Sequence, residues 1–472
     1  MAGDDTTSSI ELTDPTQPFH DPGQKLARLT ANIQGLQKYG MKQQTAITLL
    51  QAYTGSATQH IIRNYFVTDV QVREWDSQVM ASWSQIIGKP LTPNALARLP
   101  RRDGGCACAD VEYRHDAALW SAWTGAIPHI IARTDIRNTQ HFLDECPTLA
   151  RDLETTRQGL ARTTAQNTLQ HQPLQTALNH HVKQKQLMEL VHKQTAVTHR
   201  ETLTQTQTAQ LLSRGGPGAG PFLTAPPDAA DTMDDDRFST AVATRLGSPW
   251  SAHSTPPTTT PACPNITATG AVCGQPLDAD GLHACLCGTG GGVVKRHDAV
   301  LRSLATLITR VTGAAVQIER RTTELRRIFR GRIQEGQMDI ITTDLAGARL
   351  YIDVTIVSSV VAHAYHLAQA AIKPSYAAGR AEFGKRQRYP TNNILPFAME
   401  IGGRPGPSAL RFIRQLFRTP GADRTIQIAD AWSTLSTALH GAVATQLNKA
   451  AITHTSPLAP APTQLDSASP SA

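Results

Sequence analysis

Residues 337–360 read QMDIITTDLAGARLYIDVTIVSSV, and the fold class turns on this stretch. Two β-rich runs, QMDIITTD and ARLYIDVTIVSSV, flank a turn over Asp344-Leu-Ala-Gly347. Their branched and aromatic residues favour strands, and the glycine suits a tight reversal. Asp339 and Asp353 lie symmetrically about residue 346, the middle of that turn. In an antiparallel hairpin the two carboxylates therefore sit opposite one another or nearly so. Each is planted among Ile, Met or Val, where a strand disfavours aspartate. Two like charges so close repel, and burial adds to the cost, unless a cation lies between them. All-oxygen ligands of this kind suit Mg²⁺.

Working outward, an amphipathic helix (DAVLRSLATLITRV) precedes the hairpin, followed by AAVQIE, which ends in Glu319. The segment ERRTTELRRIFRGR, residues 319–332, then supplies six arginines, among them Arg326, Arg327 and Arg330. After the hairpin comes a helix with Lys373, and then RAEFGKRQRYP with Arg380, Lys385, Arg386 and Arg388. A lysine beside a carboxylate–metal site can orient a water or balance the charge of a phosphoryl transition state. Basic stretches on both sides of an acidic site suit a phosphodiester held by its backbone. His363 and His366, three apart, read as ordinary surface or core histidines.

Upstream, Cys263, Cys273, His283 and Cys287 are spaced C-x9-C-x9-H-x3-C, with Cys285 as a spare thiol. Two pairs of soft ligands separated by glycine turns suit tetrahedral Zn²⁺, although the first interval is wider than in the usual finger. Cys106, Cys108 and Cys146 have no nearby histidine and read as ordinary thiols.

The 472 residues carry 45 Lys and Arg against 38 Asp and Glu, a mild excess that permits a polyanionic partner without demanding one. No apolar run approaches the roughly 20 residues of a membrane helix, so no membrane partner is expected. The polar, acidic N-terminus is not a signal peptide, which points to an intracellular chain. Clustered cysteines then read as metal ligands before disulfides. The expected organisation begins with a disordered tail (1–22) and a helical segment (23–150). Polar helices and a linker (151–262), a zinc knuckle (263–293) and an α/β unit (294–418) follow. C-terminal helices (419–452) and a second tail (453–472) complete it.

The run CGQPLDADGLHACLCGTGGGVVKRHDAVLRSLA, followed by Glu319, MDII, YIDVTIVSS, the step from Lys385 to Tyr389 and LPFAMEIGG, resembles one family. This is the C-terminal region of early-branching non-LTR retrotransposon polyproteins: a helical segment after the polymerase, a CCHC zinc knuckle and a restriction-like endonuclease of the PD-(D/E)XK superfamily. The resemblance implies an α+β chain with a helical N-terminal half, the knuckle, and an α/β domain with a mixed sheet. It implies that Asp339 and Asp353 hold Mg²⁺ or Mn²⁺, that Glu319 assists, and that the catalytic lysine is Lys385, with Lys373 second. It also implies a structural Zn²⁺ on Cys263, Cys273, His283 and Cys287. Arg296 and His297, from the family's Arg-His-Asn/Asp motif, would contact nucleic acid together with Arg326, Arg327, Arg330, Arg386 and Arg388. The implied partners are target DNA and element RNA, and the implied compartment is the nucleus.

Two departures are visible. Met338 stands where the family prefers proline, and the first half of the knuckle is stretched, which weakens Cys263 as a ligand. The acidic pair of a polymerase palm has no counterpart, because MDDD at 233–236 sits in a breaker-rich loop. The expected activity is thus metal-dependent DNA nicking that primes reverse transcription. The alternative is a truncated, inactive remnant that binds nucleic acid through its knuckle and basic patches.

Overall fold

The computed structural model describes residues 22–91, 94–108, 110–164, 171–224, 232–248, 262–278, 280–329, 332–343, 347–389, 394–417 and 423–455. They form a mostly helical chain with a four-stranded mixed sheet, an α+β architecture. The N-terminal half comprises α1 (Pro22–Lys38), α2 (Gln43–Asn64), α3 (Asp69–Ile87), α4 (Ala95–Arg98) and α5 (Val111–Ile131). It continues with α6 (Thr139–Glu145), α7 (Pro147–Thr164), α8 (Leu174–Leu178), α9 (Gln184–Glu201) and α10 (Gln205–Ser213). Local signals start several of these helices. Thr68 and Thr204 each cap one through a reciprocal box with the glutamine three residues on. Most of these helices pack round cores built on residues such as Ile47, Trp83, Trp120 and Leu160. Cys106 and Cys108 are buried there, and burial pushes the Cys106 thiol up to about 11, so both are packing groups.

The second half runs α11 (Asp235–Arg245), α12 (Leu282–Leu286), α13 (Gly292–Thr312), β1 (Gln317–Phe329), β2 (Arg332–Thr343) and β3 (Arg349–Val357). Then come α14 (Ala364–Ile372), α15 (Tyr376–Arg388), β4 (Ile394–Glu400), α16 (Pro407–Leu416) and α17 (Arg424–Thr455). The sheet order is β1-β2-β3-β4, with β1, β2 and β3 antiparallel and β4 parallel to β3. In β2–β3, Ile340 pairs with Ile352 and Thr343 with Arg349, so the hairpin is centred on residue 346. The turn residues 344–346 lie outside the described set. The sequence reading recognised neither β1 nor β4 as a strand. β1 is arginine-rich, and Pro396 interrupts β4, which tolerates it because β4 is an edge strand.

One face of α13 (Val300, Leu304, Ile308), one face of α16 (Phe412, Ile413) and the inner face of α17 (Trp432, Leu435, Leu439, Val443) bury the sheet residues Ile352, Val354 and Phe397. The knuckle cysteines Cys263 and Cys287 belong to the same core. Where C-terminal helices were expected as a separate segment, α17 is one continuous helix. Its residue Ala444 also enters the N-terminal helical core. Among the described residues no helix is long and apolar enough to cross a membrane.

Two buried glutamates lock α15 in place. Glu400, at the end of β4, accepts hydrogen bonds from the Ala377 and Ala378 amides at the start of α15, at 3.2 and 3.3 Å. Glu382, within α15, accepts from the Ser408 and Ala409 amides at the start of α16, at 2.9 and 3.1 Å. Each carboxylate satisfies donors that a helix start leaves orphaned, and each gains from the positive end of the helix dipole. Gly406 is required beside Glu382, because a Cβ there would lie 2.2 Å from its carboxylate. Glu382→Ala strands the buried amides of Ser408 and Ala409. It should lower unfolding stability in urea by about 1–3 kcal/mol, with Glu382→Gln recovering part of the loss.

Candidate active site and metal centre

Continuing the β2–β3 register one step beyond Ile340–Ile352 places Asp339 opposite Asp353 at the heart of the sheet. Asp353 is only 4% exposed. Its Oδ1 accepts a hydrogen bond from Lys385 Nζ at 2.5 Å, the lysine reaching over from the last turn of α15. Its Oδ2 is buried and has no hydrogen-bond partner among the described residues. The two carboxylates face each other closely enough to share a proton, but with both ionised neither has a hydrogen to donate. Burial holds the Asp353 carboxyl above the usual carboxylate range; the Lys385 ammonium opposes that shift and the facing Asp339 adds to it.

Asp339 is held from two sides. Its Oδ2 accepts the Val354 amide at 2.7 Å, and His297 Nε2 lies 3.3 Å from the same oxygen. On the other side of the ring, His297 Nδ1 is 3.2 Å from Asp298 Oδ1. The hydrogen bond to Asp339 is the main cause that lifts this imidazole to about 9, against partial burial. Protonated, it donates from both nitrogens. His297 thus stands in the acidic site, where the sequence reading had grouped it with nucleic-acid contacts.

Its neighbour Arg296 also departs from that expectation. At 1% exposure it lies in the interior and donates to Cys285 O and Gln446 Oε1, both at 2.7 Å, so it braces the knuckle against α17. Adjacent residues of a helix point about 100° apart, and here one direction is the sheet and the other the knuckle. Glu319 is exposed and sits across β1–β2 from Asp339, between the pairs Ile318–Ile340 and Arg320–Met338. Its φ of 53° is rare for a non-glycine residue in a strand. Lys373 is exposed at the C-cap of α14, and among the described residues it makes no ion pair with Asp339 or Asp353, whereas Lys385 pairs with Asp353. Arg386 and Arg388 are exposed on the last turn of α15, with Arg386 hydrogen-bonded to Ser408. Arg326 and Arg327 lie in β1 opposite Glu335 and Gln334, and their side chains fall outside the description; Arg330 lies outside the described residues altogether. The His363 and His366 rings lie 4.9 Å apart at a tilt of 44°, and His366 Nδ1 is 2.9 Å from the Tyr376 hydroxyl.

The knuckle brings its four predicted ligands together. Cys263 Sγ lies 3.7 Å from Cys287 Sγ, Cys287 Sγ 3.6 Å from Cys273 Sγ, and Cys273 Sγ 3.5 Å from His283 Nε2. All four ligand atoms fall within 4.8 Å of one another. A zinc tetrahedron with Zn–S of about 2.3 Å has edges of about 3.8 Å, so the donor set fits structural Zn²⁺. The long first interval is absorbed by a hairpin. Cys263 and Gly274 share its ladder, Cys273 N bonds to Asn265 O, and Gly270 takes the positive φ of the tip. Asp278 accepts the Leu282 and His283 amides at 2.7 and 2.6 Å and so aims the histidine. Burial pushes Cys263 up to about 11; at Cys287 burial is outweighed by hydrogen bonds from Asn265, Thr289 and the other two thiols, which bring it to about 6. Cys285 points into the core beside Arg296, and burial raises its thiol to about 11, leaving it a spare.

The chain matches no family model and no curated protein sequence. The sequence reading missed Glu382 and Glu400, because an acid in a helix or at a strand end looks solvated until its burial is known.

Two measurements follow from this geometry. Purified protein should carry stoichiometric zinc by plasma mass spectrometry, and Cys287→Ser should lose it together with thermal stability, since ligand binding and local folding are one event. The His297 imidazole is raised above its ordinary value near 6.5, so its contribution is complete below that pH and is lost as pH climbs through about 9. Metal-free wild type should lose stability relative to His297→Gln across that window, and the His297 ring resonances should titrate near its upper end.

Proposed function

We propose that this chain is a metal-dependent DNA endonuclease of the restriction-like type, the C-terminal portion of a non-LTR retroelement polyprotein that works in the nucleus. One observation carries the reading: a buried aspartate, Asp353, with one oxygen on Lys385 and the other unpartnered beside a second carboxylate. A water-poor site does not leave an ionised oxygen unsatisfied without cost, and a divalent cation removes the cost for both acids together. The helix-flanked mixed sheet with both acids at its centre also supports the reading.

Asp339 and Asp353 would hold Mg²⁺ or Mn²⁺, and all-oxygen ligands suit these ions. The bound ion would polarise the scissile phosphodiester. Lys385 opposes the upward pull of burial on Asp353 and places a positive charge where negative charge develops on the phosphorus oxygens. His297 and the Val354 amide both hold Asp339 Oδ2, which fixes the carboxylate beside Asp353. The exposed Arg386 and Arg388, one turn or less from Lys385, would meet backbone phosphates beside the cut. Target DNA is the substrate in this reading, and element RNA is a further partner.

The test is nicking of supercoiled plasmid. Wild type should nick in Mg²⁺ or Mn²⁺ and stop with EDTA. Asp353→Ala and Lys385→Ala should each lose about a hundredfold or more of the rate. Plasmid binding without nicking in any metal would instead favour the inactive nucleic-acid-binding remnant.

A further inference from the structure

Helices α11, α13 and α17 and the end of the knuckle enclose a recess of about 470 Å³ that the acidic site does not use. Four cations line it: Arg237, Lys295, Arg302 and Lys449. No carboxylate and no aromatic ring is among its lining residues. Arg237 is paired with Asp234 outside the recess, whereas no carboxylate among the described residues pairs with Lys295 or Arg302. All four side chains are exposed, so none pays for burial of its charge. Between the cations, Ala299 and Ala442 add only methyl surface to the lining. Thr437 lines the recess, is 7% exposed, and its hydroxyl has no hydrogen-bond partner among the described residues. That oxygen is itself closed to the recess, so the chemistry a ligand meets there is the four cations, with Ser303 and Thr434 beside them.

Lys295, Ala299 and Arg302 recur at helical spacing along one side of α13. His297, two residues from Lys295, projects about 200° round the helix, onto the side that meets Asp339. The recess and the acids thus occupy opposite faces of the same helix. A strand lying in the recess is not the strand placed for cutting. The volume falls in the range of a small-ligand pocket, about 300–1,000 Å³, room for a short piece of one strand rather than the width of a duplex.

We propose that this recess binds the sugar–phosphate backbone of a single DNA strand, held apart from the strand at the acidic site. The choice of DNA among polyanions rests on the endonuclease reading; the basic, hydroxyl-lined recess does not. With no ring to stack a base, binding runs through phosphates and carries no sequence preference.

The experiment is fluorescence anisotropy with the full zinc-loaded chain, without added divalent metal. It compares labelled oligothymidylate, oligouridylate and a mixed-sequence duplex over a range of salt. Wild type should bind oligothymidylate. Lys295→Glu/Arg302→Glu should weaken that binding by about tenfold or more. It should also flatten the log–log salt slope by about 1.4, because two phosphates of a single strand are then left unneutralised. Lys449→Glu should weaken binding less. Zinc content and circular dichroism of the variants should be unchanged, because the substituted side chains are exposed. Failure of wild type to bind oligothymidylate overturns the proposal. So does unchanged affinity in the double variant, an equal loss on duplex, or a loss confined to oligouridylate. Nicking lost in Asp353→Asn with these binding results negative would leave the endonuclease standing without the recess. The converse outcome would leave the recess without the endonuclease.

Discussion

An ionised carboxylate taken out of water must find positive charge, and the second half of this protein is arranged round that need at Asp353. The strand that carries it is buried on both faces, so solvent cannot supply the compensation. Lys385 supplies it on one oxygen from α15. The position of α15 is in turn set by Glu400 at its start and by Glu382, which ties it to α16. Removing any member leaves a buried group without its partner, which costs more than the bond itself contributes. The second oxygen of Asp353, with Asp339 beside it, has no hydrogen-bond partner among the described residues.

Helix α13 connects these acids to the zinc-type centre. Arg296 ties the knuckle carbonyl of Cys285 to α17, while His297, the next residue, reaches the acids. The knuckle also buries Cys263 and Cys287 in the core that holds the sheet. Loss of the metal there would therefore loosen the helix that positions His297, so the two centres share one mechanical support. Helix α17, packed on this core and touching the N-terminal one through Ala444, carries that support across the chain.

The hairpin was legible because side chains alternate with period two and the turn sets the register: once residues 344–347 are read as the reversal, Asp339 and Asp353 can only face one another. The α13 helix and the four Cys/His ligands were legible for similar reasons, local periodicity in one case and scarce residue chemistry in the other. β1 was hidden by arginines that read as a charged run, and β4 by Pro396, whose tolerance depends on β4 lying at the sheet edge. The stretched knuckle looked weak at Cys263 until the hairpin from Cys263 to Gly274 closed the gap.

Sequence alone determined the pair of acids, their register, the metal-type ligand set and the helical half, because each is written in neighbouring residues. Tertiary structure decided which cations serve the acids and which serve the core. Lys385 reaches Asp353 whereas Lys373 stays at the surface, and His297 meets Asp339 whereas Arg296 is buried against the knuckle. Burial is a property of what packs against a face, and the groups that meet here are separated by 32 positions for Lys385 and Asp353, 42 for His297 and Asp339 and 150 for Arg296 and Gln446.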